Sequence, residues 1–392
     1  MSENVAVIAS VLKPVDDTRL YEKLGLSIRE TKKYRVNIIG FAVKNPPRHP
    51  GMEFHGIYSG SRLYWTRLLV PWRFLVKLIE IKRNCKHKHK YARKHSLDRK
   101  QKPTLKLLIV CTPELLFPAV LYKIIFGTRL WYDVQENYRR NVQYQSVYFP
   151  WLKPLLKLML RMVETISRPF IDHYLLAERG YLRELKFVNG RYTVLENKYK
   201  SIQVYKKNSN HQHHRVRLIF SGTCSWENGI LEAVSLAEAL IQRQYPVQLD
   251  IAGQVPDPDI LQFLYRKAEF FKGQITMAGG NGALMGHSVI MEHAARADFG
   301  LVAHQPNPSN ENCIPTKIYE YLGLKLPILL QSHPLWESVI RPYQGGLVLD
   351  FNQFHPDELW KKMCDTEFYT KIPGSEICWE QEEQKLLTLL SE

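Results

Sequence analysis

Ser309-Asn-Glu-Asn-Cys-Ile-Pro-Thr-Lys-Ile-Tyr-Glu-Tyr-Leu-Gly-Leu-Lys-Leu-Pro-Ile328 reads as a loop, a helix start and a buried strand in quick succession. Pro315 suits the first helical position, where its missing N–H costs nothing. Thr316 and Lys317 then fall in the first turn, where unpaired N–H groups and the helix dipole attract anions. Glu320 follows Lys317 by three residues and shares its face. A cation and amides at a helix mouth, with a carboxylate one turn deeper, can hold a diphosphate and the sugar hydroxyls beside it. The same letters also suit an ordinary helix–strand unit with a salt-bridged surface helix.

Working outward, the same rhythm recurs. Asn4 to Ser10, Val36 to Val43, Leu105 to Thr112 and Arg129 to Val134 are short β-branched, apolar runs. Helix-like segments from Thr18 to Lys32 and from Leu115 to Phe126 lie among them. A second set starts at Val216 and runs through strands at Val247, Gln274, Phe299 and Pro327, with helices at Gly229, Asp259, Val289 and Thr316. Strands alternating with helices through short links imply parallel, doubly wound sheets, so the expected class is α/β with two Rossmann-like halves. Residues 201–215 are polar and rich in Lys and His, and read as the linker. The expected domains are therefore 1–200 and 216–355, followed by a helical tail, 356–392, able to pack back on the first domain.

Loops at the carboxyl ends of parallel strands face the ligand crevice. After the first strand, Arg19 has the planar fork that suits phosphate oxygens, and Asp17 can orient hydroxyls. Helix capping by Asp16 or Asp17 explains the same letters. After the first strand of the second half comes Ser221-Gly-Thr-Cys-Ser-Trp-Glu-Asn-Gly229, where Gly222 permits a phosphate to approach the backbone and Thr223 follows it. The histidines at 87, 89, 211, 213 and 214 lack Cys or acidic partners at ligand spacing, and read as solvated side chains rather than a metal site.

Pro315, Lys317, Glu320, Tyr321 and Pro327-Ile328-Leu329 resemble a stretch of the retaining GT-B glycosyltransferases of the family-four type. The resemblance extends to Asp17-x-Arg19, to Tyr132-Asp133-Val-Gln135-Glu136, to Glu196-Asn197 and to the glycine run at Gly279. It implies two Rossmann-like domains facing a cleft, and a nucleotide-diphosphate sugar donor with no essential metal. It also implies transfer with retention to a glycan or lipid-linked acceptor, by front-face attack beside the departing diphosphate. In that family the second Glu of a Glu-x7-Glu motif binds the ribose, and Glu320 matches it. The first Glu falls at Asn312, with Glu311 beside it. Gln135 stands where His is usual; it cannot titrate, but it can hydrogen-bond a sugar hydroxyl. Asn228 precedes Gly229 where many relatives carry a cation, so the diphosphate charge is left to Lys317, Arg19 or a residue elsewhere. The region of Gly279 would lie against the base. The implied catalytic set is Asp17, Gln135, Glu136 and Asn312. The implied donor-binding set is Arg19, Gly222, Thr223, Gly279, Pro315, Thr316, Lys317 and Glu320.

Charge narrows the partners. The 392 residues carry 54 Lys and Arg against 38 acids, a net +16, which calls for an anionic partner. Arg62 to Lys106 holds fifteen basic residues against Glu80 and Asp98. Two stretches, Arg62 to Lys106 and Phe149 to Glu164, pattern as basic amphipathic helices, suited either to an anionic membrane surface or to packing on a core. In the second, Lys153, Lys157, Arg161 and Glu164 line one face and Leu152, Leu155, Leu156, Met159 and Val163 the other. No run of about 18 uncharged apolar residues occurs, and the N-terminus lacks a secretory signal. Six scattered cysteines read as reduced thiols. The expected place is the cytoplasm, peripheral on the inner membrane face. A non-catalytic GT-B partner subunit is the alternative that the departures allow. A nucleic-acid-binding protein fits the charge alone and no recognition motif, so nucleic acid is not an expected partner.

Overall fold

The computed structural model describes residues 4–58, 69–95, 104–144, 148–188, 190–200, 215–278 and 285–392, with the side chains of 86–95 outside the description. The chain forms two compact units. Met1–Asn197 and Glu380–Glu392 make the first, and Lys198–Trp379 the second.

In the first unit the strands are β1 (Asn4–Pro14), β2 (Tyr34–Phe41), β3 (Met52–Tyr58), β4 (Leu105–Val110), β5 (Arg129–Val134), β6 (His173–Leu176) and β7 (Tyr192–Val194). They pair in the order β3-β2-β1-β4-β5-β6-β7, all parallel. The helices are α1 (Leu26–Glu30), α2 (Val70–His95), α3 (Leu116–Phe126), α4 (Tyr138–Tyr144), α5 (Lys153–Ser167) and α6 (Tyr181–Glu184). Val5 to Ala9 and Leu107 to Val110 are buried throughout, as continuous apolar runs in a sheet covered on both faces must be. Thr18 to Lys32, expected as one helix, divides into a π-helical segment, Thr18–Gly25, and α1.

The second unit holds β8 (Val216–Ser221), β9 (Val247–Ala252), β10 (Ile275–Ala278), β11 (Phe299–Val302), β12 (Ile328–Gln331) and β13 (Gly346–Leu349). Their order is β10-β9-β8-β11-β12-β13, again all parallel. With them run α7 (Ile230–Gln242), α8 (Pro258–Phe270), α9 (His287–Ala295), α10 (Thr316–Gly323), α11 (Pro334–Ile340) and α12 (Pro356–Asp365), and α13 (Trp379–Ser391) follows, belonging to the first unit from Glu380 onward. One core lies around Leu218, Phe220, Leu240 and Leu249, the other around Ile219, Tyr321, Ile328 and Trp336. Alternate residues of β8 serve opposite faces, which is why Leu218 and Ile219 fall in different cores.

The tail divides. α12 stays with the second unit, where Leu359 and Met363 join the core around Leu218. Residues Glu380–Glu392 belong to the first. There Glu382 accepts from the Glu196 amide at 3.3 Å, and Glu383 accepts from the Ser27 hydroxyl. Within the second unit, the Trp379 amide donates to Tyr199 O and the Tyr199 amide to Ile377 O. Of the expected linker, 201–214 lies outside the described residues. Among the described residues no helix is long and apolar enough to cross a membrane.

α5 departs from the core-packing reading of its stretch. Glu164 is 3% exposed and Ser167 is buried, while Leu155 and Met159 face outward. The apolar stripe drawn from the sequence is therefore split, and much of it meets solvent.

Candidate functional site

In both sheets the order in which strands are added reverses at one place, between β1 and β4 in the first and between β8 and β11 in the second. Ligands of such sheets bind at the carboxyl ends of the strands beside that point. Candidate residues gather at both.

In the second unit, β8 ends at Ser221 and the chain turns through Gly222, whose φ of +91° is one that a side chain rarely adopts. The turn is braced from within: Asn228 Nδ2 donates to Thr223 O at 2.7 Å, and Gln254 Nε2 to Thr223 Oγ1 at 3.3 Å. Gly229 then starts α7 at φ +77°, pressed so closely on β11 that a Cβ would lie 1.8 Å from Ala303 O. Only glycine allows that approach, so the residue has a packing role as well as its place in the loop.

α10 begins opposite this turn. Pro315, expected at the first helical position, stands one residue earlier: it is the extended N-cap residue, and its carbonyl accepts from the Ile318 amide at 2.9 Å. Thr316 and Lys317 make the first turn, where amides have no acceptor inside the helix. Lys317 is 7% exposed. Its Nζ donates to Ser221 O at 2.7 Å and lies 4.5 Å from the Phe220 ring centroid. Burial lowers its pKa to about 8, against the opposing pull of Glu320. A turn further on, Glu320 Oε1 is 3.2 Å from His287 Nε2 at the start of α9. Tyr321 OH meets Ser221 Oγ at 2.8 Å, so α10 is fixed to β8 by two bonds.

Two histidines here were not singled out in the sequence. His287 pairs with Glu320. His304 follows β11, with burial and the Lys317 charge holding it neutral, well below its ordinary pKa. Its Nδ1 is buried and has no hydrogen-bond partner among the described residues. Its signal was a polar residue directly after a buried strand at the reversal of strand order. Asn312, half-buried, and Glu311, exposed, precede Pro315 in a loop that Trp336 Nε1 anchors through Cys313 O at 2.7 Å. Gly279 lies outside the described residues.

In the first unit, Asp17 caps the π-helical segment, its Oδ1 accepting from the amides of Arg19 at 2.9 Å and Leu20 at 3.1 Å. Arg19, expected at phosphate oxygens, is 2% exposed and turned inward. Its Nε lies 2.9 Å from Asp133 Oδ2 and its Nη2 2.6 Å from Asp133 Oδ1. Its Nη1 donates to Leu195 O at 2.8 Å and Asn197 Oδ1 at 3.1 Å. The fork is thus committed to a buried carboxylate and the chain after β7. Burial opposes its charge, Asp133 outweighs burial, and its pKa is raised. Gln135 Nε2 completes the Asp133 shell at 2.8 Å. Glu136 is more open, accepting from Asn141 Nδ2 at 2.6 Å with Lys13 Nζ 3.6 Å away. Arg19 and Gln135 therefore meet at one buried carboxylate, with Asp17 at the cap and Glu136 at the rim.

No family model and no curated protein matches the chain. Solved structures do. A sucrose-phosphate synthase from Thermosynechococcus elongatus superposes with a TM-score of 0.68 at 13% identity, covering 99% of this chain and 98% of that one. The catalytic domain of starch synthase IV from Arabidopsis thaliana, bound to ADP and acarbose, gives 0.58 at 11%, covering 100% and 99%. Anabaena HepE in complex with UDP gives 0.57 at 14%, covering 99% of each. At these identities the likeness is one of fold, and it defines the chain as a GT-B protein with two Rossmann-like domains.

Proposed function

We propose that the protein is a retaining GT-B glycosyltransferase. It moves a sugar from a nucleotide-diphosphate donor to a glycan or lipid-linked acceptor, peripherally at the inner face of the cell membrane. The observation that carries this reading is the group at the β8–β11 reversal. Lys317, the first-turn amides of α10, the Gly222 turn, neutral His304 and Glu320 all stand at one strand-end edge. The structural neighbours crystallised with UDP or ADP support it.

In this reading the donor's diphosphate sits at the start of α10 and the Gly222 turn. As the bond from the sugar's anomeric carbon to the diphosphate oxygen breaks, its electron pair stays on that oxygen. Lys317 and the amides stabilise the growing charge in a poorly solvated setting, where preorganised donors act most strongly. Glu320, held by His287, addresses the ribose hydroxyls. Asn312 serves the donor sugar as a neutral donor and acceptor. Arg19 acts as a positioning residue, setting Asp133, Gln135 and the chain at Asn197.

Specific departures favour a second reading, a non-catalytic partner subunit: Asn at 312, Gln at 135 and Asn at 228 each replace a charged or titratable group. Incubation with a panel of UDP-, GDP- and ADP-sugars tests both. Transfer or slow donor hydrolysis, with the product's anomeric configuration retained by NMR, supports the enzyme. Nucleoside-diphosphate binding without turnover supports the subunit.

A further inference from the structure

Among the described residues, fifteen of the twenty-three large apolar side chains exposed to solvent lie between Leu69 and Ile166. They are not scattered. On α5 they are Leu155, Leu158, Met159, Met162 and Ile166, recurring at helical spacing on one outward stripe. On α3, Phe117, Ile124 and Ile125 fall on one side of the helix, with Phe126 at its end turned toward Lys82, and at the start of α2 Leu69, Trp72 and Val76 form a third stripe. α3 packs between the other two, touching both α2 and α5, and Lys82 of α2 lies 3.1 Å from the centroid of the Phe126 ring. Three neighbouring helices thus turn apolar stripes outward. On α5 the inward side takes buried Glu164 and Ser167 instead. An apolar face of this kind marks an interaction surface.

We propose that the outward face of α2, α3 and α5 inserts into the interfacial layer of an anionic bilayer. Two observations choose a bilayer as occupant. The segments 69–85, 113–126 and 149–170 carry nine Lys and Arg against Glu80, Glu114 and Glu164, of which Glu164 is buried. Of the nine, Arg73, Arg83 and Arg161 are exposed and the other six half-buried, and exposed basic residues beside an apolar stripe complement anionic head groups. Aromatic side chains also stand at the helix starts: Phe149 and Trp151, stacked 6.4 Å apart, precede α5, and Trp72 lies in the first turns of α2. Trp at such a border suits the lipid head-group level. The stripes lie on the surface of a folded unit with no spanning helix among its described residues, which fits shallow insertion. The proposal deepens the membrane part of the function above but rests on this surface alone. It differs from attraction by the basic tract, whose Lys86, Lys88, Lys90, Arg93 and Lys94 side chains lie outside the description.

The test sediments the full chain with phosphatidylcholine vesicles and with phosphatidylcholine–phosphatidylglycerol vesicles, at low salt and at about 1 M salt, where charge attraction is screened beyond about 3 Å. The expected result is binding to the anionic vesicles, a blue shift of Trp emission, and a bound fraction that survives high salt. Leu158→Glu/Met162→Glu and Ile124→Glu should each weaken partitioning at least ten-fold. Their circular dichroism melting and UDP, GDP or ADP affinity should be unchanged, because the positions are exposed and away from the strand-end residues. Trp151→Phe should shrink the emission shift while leaving the fold intact. Three results would overturn the proposal: no vesicle binding by the wild type, variants that bind as well as it does, or a concentration-dependent dimer in the ultracentrifuge that the glutamates abolish. A chain that binds vesicles but no nucleotide would sink the transfer reading and leave the surface standing.

Discussion

Lys317 Nζ donates to Ser221 O at 2.7 Å, tying the first turn of α10 to the last residue of β8. The cation is thereby placed at the reversal of strand order rather than out in solvent. Lys317→Ala should weaken nucleoside-diphosphate binding by roughly 1.5–3 kcal/mol, the scale of a hydrogen bond to a charged group. Glu320→Ala should weaken nucleosides as well as nucleotides. Titration calorimetry with UDP, GDP and ADP decides it; variants that both bind like wild type place the donor elsewhere.

The same lysine gives binding a pH dependence. Burial lowers its pKa to about 8 in the empty site. A bound diphosphate favours the charged form, so the complex holds its proton to higher pH than the free protein does. Affinity should be flat from this group below about pH 7.5 and fall as pH rises beyond 8, by at most about ten-fold per pH unit. Calorimetry at pH 8 in two buffers of different ionisation enthalpy should show proton uptake on binding. Lys317→Met should abolish both the uptake and the slope.

Arg19 and Asp133 form a buried pair, so removing one partner strands the other. Arg19→Ala should destabilise the first unit by about 3–5 kcal/mol. Replacing both, as Arg19→Met/Asp133→Leu, should recover much of that loss. Urea unfolding measures each variant. An Arg19→Ala protein of wild-type stability with lost nucleotide affinity would restore Arg19 to the phosphate.

Much of the fold was legible because buried parallel strands are written as unbroken apolar runs. Arg129–Val134 matches the expected bounds, and β9 starts at the expected Val247. Four-residue strands were legible where they are apolar and buried, as at β11 and β12, whereas β13 is only part-buried, β6 opens on His173 and Tyr174, and β3 breaks the run with Glu53, His55 and Gly56. The Lys317–Glu320 helix start was legible from local chemistry, because capping and dipole effects act within one turn. Arg19 was not: its partner lies 114 residues away in sequence, and no local pattern tells an inward guanidinium from an outward one. The stripes of α2, α3 and α5 show the same limit. Helical periodicity reveals that a face is apolar, but not which side the core takes.

In the resemblance to the family-four pattern, Asn312 stands where the first carboxylate of Glu-x7-Glu is expected, and an amide can both donate to and accept from a hydroxyl. If it addresses the donor sugar, Asn312→Ala should lower turnover while leaving free nucleoside-diphosphate affinity nearly unchanged. Steady-state rates beside calorimetry separate the two, and equal loss of both would refute the assignment.

Glu164 gives the fold itself a pH dependence. It is 3% exposed under α5, and Arg139 Nε, 3.6 Å away, is its ion-pair partner. Burial raises its pKa to about 7, with Arg139 pulling the other way. The sign follows from which state binds the proton. Between about pH 4.5 and 7 the folded chain holds a proton there that the unfolded chain has lost. Stability from this group is therefore greatest below about 4.5, declines as pH rises to about 7, and is flat above. Glu164→Gln keeps the shape and removes the titration. It should match wild type near pH 4.5 and exceed it at pH 8 by on the order of 2–3 kcal/mol. Urea midpoints of both proteins across pH 4.5–8 test this. Parallel curves would mean that Glu164 is ionised in the fold at neutral pH, with Arg139 compensating its burial in full.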